Sequence, residues 1–217
     1  MKSTINKENF NNKEENSCCF LFKNDPDNNK IQKPNDENLN INEIPNLWPG
    51  TCFGCSPINK YGLKMQVCLS NDGCFSYITI PNHFCGFDGI VHGGIIATIL
   101  DEIAAWAILV HLNKLGITQK ANIRYYKPVS TNSPLLAEGQ ILSYQDGNLI
   151  TKACIKSMKS ILLAECESKW LIPELSLLSK LTGKDIGILK SMFEQVMIPI
   201  KRLRKNNMLN KVNSEEY

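Results

Sequence analysis

Hydrophobic and polar positions divide the chain into three parts. Residues 1–45 are mostly Asn, Lys, Asp and Glu with almost no periodic apolar pattern. Such a segment cannot bury enough surface to offset the entropy that it loses on ordering. We therefore predict a disordered N-terminal tail over 1–45, a folded domain over 46–172 in which order begins near Trp48, and a helical C-terminal extension over 173–217.

The folded part opens with two short strand patterns. Residues 63–69 and 74–80 are rich in β-branched and aromatic side chains, and Asp72-Gly73 between them is a hairpin turn signal. Pro81 ends the second strand, because proline has no N–H to donate to a sheet. The pattern predicts an antiparallel hairpin, followed by a loop over 82–91.

One long apolar helix comes next. The pattern predicts a helix from about Gly93 to Lys114, with Gly116 at the position of a C-terminal cap. Apolar residues cover nearly every face of this helix, so it must lie inside the protein.

Three or four strands and two helices complete the pattern. A buried helix between a hairpin and an antiparallel meander indicates an α+β fold in which the sheet curls around the helix. The last helix carries an apolar stripe and ends in basic residues, which favours a solvated helix end over a phosphate or anionic-surface contact. The predicted strands are 117–126, 135–144, 149–157 and 161–171, and the predicted helices are 175–181 and 185–204.

Composition describes a globular protein without a strong charge. The 217 residues are 43% hydrophobic and 21% charged, and the net charge of +3 is too small to indicate a nucleic-acid partner. The nine cysteines are an odd, scattered set without a preceding signal peptide, so we expect reduced thiols in an intracellular, cytoplasmic setting, with mitochondria not excluded. Charges interrupt the longest apolar run, so no membrane span is predicted.

An acid inside the apolar helix is the first candidate for chemistry. Asp101 stands where packing would favour leucine, and a carboxylate there costs free energy unless it is paired or used. It could be a structural acid that reaches a Lys or Arg, a general base for water, or a nucleophile. Glu102 points about 100° away, and we expect it on the opposite face, paired or reaching solvent.

The start of the same helix is the second candidate. Gly93 and Gly94 leave backbone N–H groups bare at a helix N-terminus, where a ligand oxygen can approach them. Together with a partly buried acid, this start suggests acyl chemistry, in which the N–H groups stabilise a developing oxyanion.

Three sequence blocks resemble the PaaI-type branch of the hotdog-fold acyl-CoA thioesterases. They are the lead-in CFGCSP at residues 52–57 with Asn59 and Gly62-Leu63, then VHGG at 91–94 with Ala97-Thr98, Leu100 and Asp101, and finally Thr118 through Tyr125 to Lys127-Pro128. They occur in the family's order and cover about 48–171. Ser56 stands where the family usually has glycine.

The resemblance implies a hotdog fold and acyl-CoA hydrolysis. CoA would be part of the substrate, and neither a metal nor another cofactor would be needed. It implies that Asp101 carries the base or nucleophile role and adds Thr98 to Gly94 and His92 as substrate-binding residues. His92 would orient substrate or water, or only cap the helix. Thr118 would hold the attacking water, or be only a surface strand residue.

A distance argument predicts an assembly of at least two chains. Asp101 lies eight residues after Gly93, so on one helix they are about 12 Å apart. One carbonyl carbon cannot lie within about 3 Å of both. We therefore expect a homodimer or dimer of dimers with sites across the subunit interface, as the resemblance also implies.

Other functions remain open at this point. A hotdog enoyl-thioester hydratase or dehydratase would use Asp88 and His92 as its acid and base, but would leave Asp101 unexplained. A non-catalytic acyl-CoA-binding protein would have no need of Asp101. Cys52-x-x-Cys55 could bind zinc, but a structural zinc usually takes four ligands and no second such pair exists, so no metal is predicted.

Overall fold

The computed structural model describes residues 43–45 and 50–214. The predicted disordered tail lies almost wholly outside this range, and so does Trp48, where order was expected to begin. Within the described residues the main element is an antiparallel sheet of six strands in the order β1-β2-β6-β7-β8-β5. A two-stranded ribbon, β3 with β4, stands apart from it. The strands are β1 (Cys68–Leu69), β2 (Gly73–Thr79), β3 (Cys85–Phe87), β4 (Ile90–Val91), β5 (Ile117–Tyr125), β6 (Pro134–Gln145), β7 (Asn148–Ser157) and β8 (Leu162–Leu171).

The long apolar helix α1 (Gly93–Leu112) packs against this sheet. Many of its side chains are almost fully buried, among them Ile99, Leu100, Ile103 and Ile108. A Cβ on Gly139 of β6 would lie 2.4 Å from the carbonyl oxygen of Ile103, so helix and sheet touch here through their backbones. The predicted α+β hotdog fold, a sheet wrapped around one buried helix, is confirmed.

By length and composition α1 could also cross a membrane. An 18-residue stretch of this helix has a mean hydropathy of 1.9, but 56% of that stretch is buried inside the domain. The core of a globular fold therefore accounts for its apolar character.

The turn between β6 and β7 explains how the meander reverses there. β6 and β7 are joined by Asp146-Gly147, with φ of 50° and 75°, and Gln145 pairs with Asn148 across the turn. Both central residues with positive φ are typical of a type I′ turn, whose twist matches that of the strands. Asp-Gly is a sequence that favours this two-residue hairpin turn.

Several element boundaries differ from the sequence prediction. The first strand is only β1, because most of the predicted run 63–69 lies in extended loop. The predicted loop 82–91 contains a 3₁₀ turn (Asn82–Phe84) and the β3–β4 ribbon. The helix ends earlier than predicted, since Asn113 and not Gly116 is its C-cap, in the left-handed conformation with φ of 54°.

Gly116 has another role. A Cβ there would lie 2.8 Å from side-chain atoms of Ile108 and Trp170, so the glycine lets the chain pass close to the core.

Two further helices follow the sheet, α2 (Leu175–Thr182) and α3 (Ile186–Ser214). Val196, Met197 and Ile200 of α3 are buried in the same core as α1. The predicted apolar stripe is therefore correct near its C-terminal end, whereas Ile188 at its start is 53% exposed. Further along α3, Arg204 donates a hydrogen bond of 3.4 Å from Nη1 to Oδ1 of Asn113 at the end of α1.

Candidate active site

The helix start is organised by His92. Strand β4 delivers His92 to the N-cap of α1, where its Nδ1 accepts a hydrogen bond of 2.9 Å from the N–H of Gly94. Its backbone carbonyl accepts from Ile95 and Ile96. An Nδ1 that accepts leaves the ring proton on Nε2. His92 is therefore a helix cap whose Nε2–H remains as a donor.

The backbone N–H groups of Gly93 and Gly94 therefore differ in whether they are available to a ligand. The N–H of Gly94 already bonds to His92. The N–H of Gly93 is in the first turn and has no intrahelical acceptor. Tyr125, at the end of β5, donates from its hydroxyl to the carbonyl oxygen of Gly93 at 3.2 Å. Tyr125 belongs to the third sequence block, where no role was predicted for it, and it joins the end of β5 to this helix start.

Asp101 lies two turns further along α1 and is held by Thr118. Thr118 Oγ1 donates a hydrogen bond of 2.6 Å to Oδ1 of Asp101, and both residues are half-buried. The hydroxyl of Thr118 donates its one proton to the carboxylate. It can therefore accept a hydrogen bond from a further group but cannot donate one. The structure thus brings these two predicted residues together at one end of β5.

Thr98 has a local partner. Its Oγ1 donates to the carbonyl oxygen of Gly94 at 2.9 Å, one helical turn earlier. A hydroxyl that bonds back to the preceding turn is common for threonine inside a helix. Any contact to a substrate would therefore use the oxygen of Thr98 as an acceptor.

Within one chain, Asp101 and the helix start remain apart. Both belong to α1, at positions 93 and 101, so the helical rise separates them by about 12 Å. The structure does not bring the two parts of the predicted site together in a single copy.

Glu102 lies in a different environment from its neighbour. Trp106 Nε1 donates to its Oε1 at 3.0 Å, and Cys52 Sγ lies at hydrogen-bond distance, 3.3 Å, from its Oε2. Burial raises the pKa of this carboxyl to about 7. Of the two sequence-based alternatives, paired or reaching solvent, Glu102 is paired.

The acid and base pair of the hydratase alternative lie on either side of β4. Asp88 is exposed in the turn that joins β3 to β4, and His92 follows β4. Since Nδ1 of His92 is engaged by Gly94, only Nε2–H is available there, and it is a proton donor.

Ser56 is the position at which the lead-in motif departs from its family. It is fully buried, with its N–H donating to the carbonyl oxygen of Cys52 at 3.1 Å. Among the described residues its hydroxyl has no hydrogen-bond partner. The serine therefore places a buried polar group where the family usually has glycine.

Comparison with known proteins finds similarity over part of the chain. Residues 88–156 match the model described as thioesterase superfamily. An uncharacterised protein of Schizosaccharomyces pombe is 35% identical over 60 residues, which are 27% of this chain and 34% of that protein. The chain therefore matches about a third of the length of this relative.

Solved structures of thioesterase-superfamily proteins are also similar. The thioesterase superfamily protein RHA08564 has a TM-score of 0.53 at 23% identity, covering 58% of this chain and 64% of that one. Zebrafish thioesterase superfamily member 2 has a TM-score of 0.49 at 20% identity, covering 54% and 88%. The first likeness shows the fold, in agreement with the architecture described above.

Proposed function

We propose that the protein hydrolyses acyl-CoA thioesters to a free carboxylic acid and CoA, a proposal supported by the match of residues 88–156 to the thioesterase superfamily model. The observation that carries the proposal is the hydrogen bond of 2.6 Å from Thr118 to Asp101. It holds a carboxylate at a fixed orientation inside an apolar helix, where an acid has no packing value.

In the proposed reaction, Asp101 removes a proton from water while the water oxygen attacks the thioester carbonyl carbon. The alternative is direct attack by the carboxylate, which gives a mixed anhydride that water then opens. In both routes the carbonyl oxygen becomes negative and CoA leaves as the thiolate. The N–H of Gly93, at the positive end of the helix dipole, is the donor that stabilises this oxygen.

The free edge of the sheet supports a site shared by two copies. In the part of the chain that the structure describes, β5 pairs only with β8 and forms an edge of the six-stranded sheet. Thr118 at the start of β5 bonds Asp101, and Tyr125 at its end bonds Gly93. Antiparallel pairing of two β5 strands about their midpoint would bring the start of one beside the end of the other.

That pairing resolves the distance problem. Asp101 of one copy would face Gly93 of the second copy, and the two-fold axis would generate two such sites. We therefore propose a homodimer, or a dimer of dimers, as the active form. The roles of His92, Gly94 and Thr98 in holding the substrate belong to the same proposal.

Release of free CoA tests this function. Purified protein is incubated with acyl-CoAs from acetyl to long-chain and aryl, with a thiol reagent present to detect CoA. The thioesterase proposal requires free CoA, whereas a hydratase changes the acyl group without releasing the thiol and a binding protein does neither. Binding of the acyl-CoAs without any release of CoA would contradict the proposal. The proposed reaction needs no metal or redox cofactor, and the cytoplasmic location stays a prediction.

A further inference from the structure

A second group of reactive side chains includes Glu102, the residue that follows Asp101 on α1. The ligand atoms of Cys52, Cys55 and Glu102 are all within 4.8 Å of one another. The two cysteines flank a turn that is closed by the hydrogen bond from the N–H of Ser56 to the carbonyl oxygen of Cys52. The proposed hydrolysis uses none of these three residues.

The spacing of this group suits a tetrahedral metal ion. Zinc binds thiolate sulfur at about 2.3 Å and carboxylate oxygen at about 2.0–2.2 Å, which sets the ligand atoms about 3.5–3.8 Å apart. Sγ of Cys52 and Oε2 of Glu102 are 3.3 Å apart. Small side-chain rotations would therefore place all three ligands around one ion.

The carboxylate is oriented by its surroundings. Trp106 holds Oε1 of Glu102 at 3.0 Å, which leaves Oε2 directed at the cysteines. A Cβ at position 54 would lie 2.3 Å from that Oε2, so a side chain there would displace the carboxylate from its present position beside the cysteine turn. A hydrogen bond that fixes a ligand from behind is typical of metal sites.

A cavity of about 160 Å³ adjoins the three residues. Ala105, Trp106 and Leu109 of α1 form part of its otherwise mainly apolar wall. Sites that provide three protein ligands keep a fourth position for water or another small ligand. The cavity supplies the space for that fourth ligand.

We propose that Cys52, Cys55 and Glu102 bind one divalent ion of the zinc class, with the fourth ligand in the adjoining cavity. The proposal departs from the sequence-based expectation of no metal. That expectation rested on the absence of a second cysteine pair, and the structure supplies the third ligand from a helix 50 residues away along the chain. The inference is independent of the proposed hydrolysis.

Cobalt(II) is the probe, because thiolate ligation gives it near-ultraviolet charge-transfer absorption and tetrahedral geometry gives strong visible bands. The full-length protein is reduced, stripped of metal and titrated with cobalt(II), and zinc(II) is then added to displace it. We expect the protein to bind one equivalent of cobalt(II) and to show both sets of bands. Bound zinc(II) should protect two thiols from an alkylating reagent.

The variants Cys52→Ser, Cys55→Ser and Glu102→Gln should each weaken binding at least tenfold. Cys85→Ser and Glu174→Gln are matched controls, since they change a cysteine and an exposed carboxylate outside the group and should bind as the wild type does. Gly54→Val keeps all three ligands but blocks the approach of Glu102, and it too should bind more weakly. Circular dichroism shows whether each variant is folded.

Three results would overturn the metal site. They are binding of less than one equivalent without the thiolate bands, equal binding by folded Cys52→Ser and Cys85→Ser proteins, and conversion of the cysteine pair to a disulfide that zinc does not prevent. Asp101→Asn should bind the ion unchanged, so loss of hydrolysis and loss of metal binding can be told apart.

Discussion

Thr118 and Asp101 are joined by a hydrogen bond of 2.6 Å between an edge strand and the buried helix. The residues are 17 positions apart, Asp101 in the middle of α1 and Thr118 near the start of β5. The bond fixes both the orientation of the carboxylate and the start of the strand through which we propose that two copies pair. One contact thus links the chemistry of the proposed site to its assembly.

Replacing Asp101 with Asn should lower kcat about 100-fold or more, because the amide cannot accept a proton from water. KM should change little, since the role lies in the transition state. Steady-state kinetics on the best acyl-CoA substrate measure both, with Glu174→Gln as the carboxylate control. Activity above about a tenth of the wild type would show that another residue is the base.

Thr118→Val should lower kcat about tenfold, because removing a hydrogen bond to a charged group costs about 1.5 kcal/mol or more. Thr118→Ser keeps the hydroxyl and should restore most of the activity. Thermal melts of both variants distinguish lost orientation from lost folding. Equal activity of the valine and serine variants would mean that the bond to Asp101 is not used in the reaction.

Two inactive variants should complement each other if the site is shared. Gly93→Phe blocks the helix start, and Asp101→Asn removes the base. In a mixed dimer one site carries both changes and the other carries neither. Random exchange makes about half the dimers mixed, so roughly a quarter of the sites should recover. Persistent inactivity after proven subunit exchange would refute the shared site.

The rate at which Cys52 is alkylated should reach its plateau at an unusually low pH. Because the pKa of this thiol is lowered from 9.0 to about 5, its thiolate is already the major form near neutral pH. The rate for metal-free protein should therefore rise through about pH 5 and level off. Cys55→Ala removes the main hydrogen bond to the thiolate and should move the midpoint to higher pH. Mass spectrometry identifies the alkylated residue, and an unchanged midpoint in Cys55→Ala would contradict this cause.

Ser56→Ala should increase the free energy of unfolding by about 1 kcal/mol, since it removes a buried hydroxyl that lacks a partner. The backbone hydrogen bonds of residue 56 remain. Urea denaturation measures the change, and Ser130→Ala, at an exposed position, is the control. A loss of stability would show that the hydroxyl does have a partner in the folded protein.

The helix and its start were predictable because their signals are local. Diglycine after His92 and apolar residues on nearly every face specify a buried helix without reference to the rest of the chain. The end of the helix was less predictable. Asn113 and Gly116 are both able to end a helix, and the choice depends on Ile108 and Trp170, which approach Gly116 too closely for a side chain.

Contacts between distant segments could not be read from periodicity. The lead-in motif revealed two cysteines, but nothing in the sequence indicated that Glu102 would meet Cys52, because that contact depends on how the turn lies on α1. Strands β3 and β4 were missed for another reason. At three and two residues they are too short to establish an alternating pattern.

Gly139 determines how closely the helix that carries Asp101 approaches the sheet that carries Thr118. Because β6 touches the carbonyl oxygen of Ile103 without any side chain between them, the gap between helix and sheet is fixed at its minimum. Ile103 is two residues from Asp101, while Thr118 belongs to the sheet. A single methyl group at position 139 would act as a wedge that moves the acid away from its hydroxyl partner. The alignment of the Asp101 carboxylate with the Thr118 hydroxyl therefore depends on Gly139, which has no side chain and takes no part in the hydrogen bond.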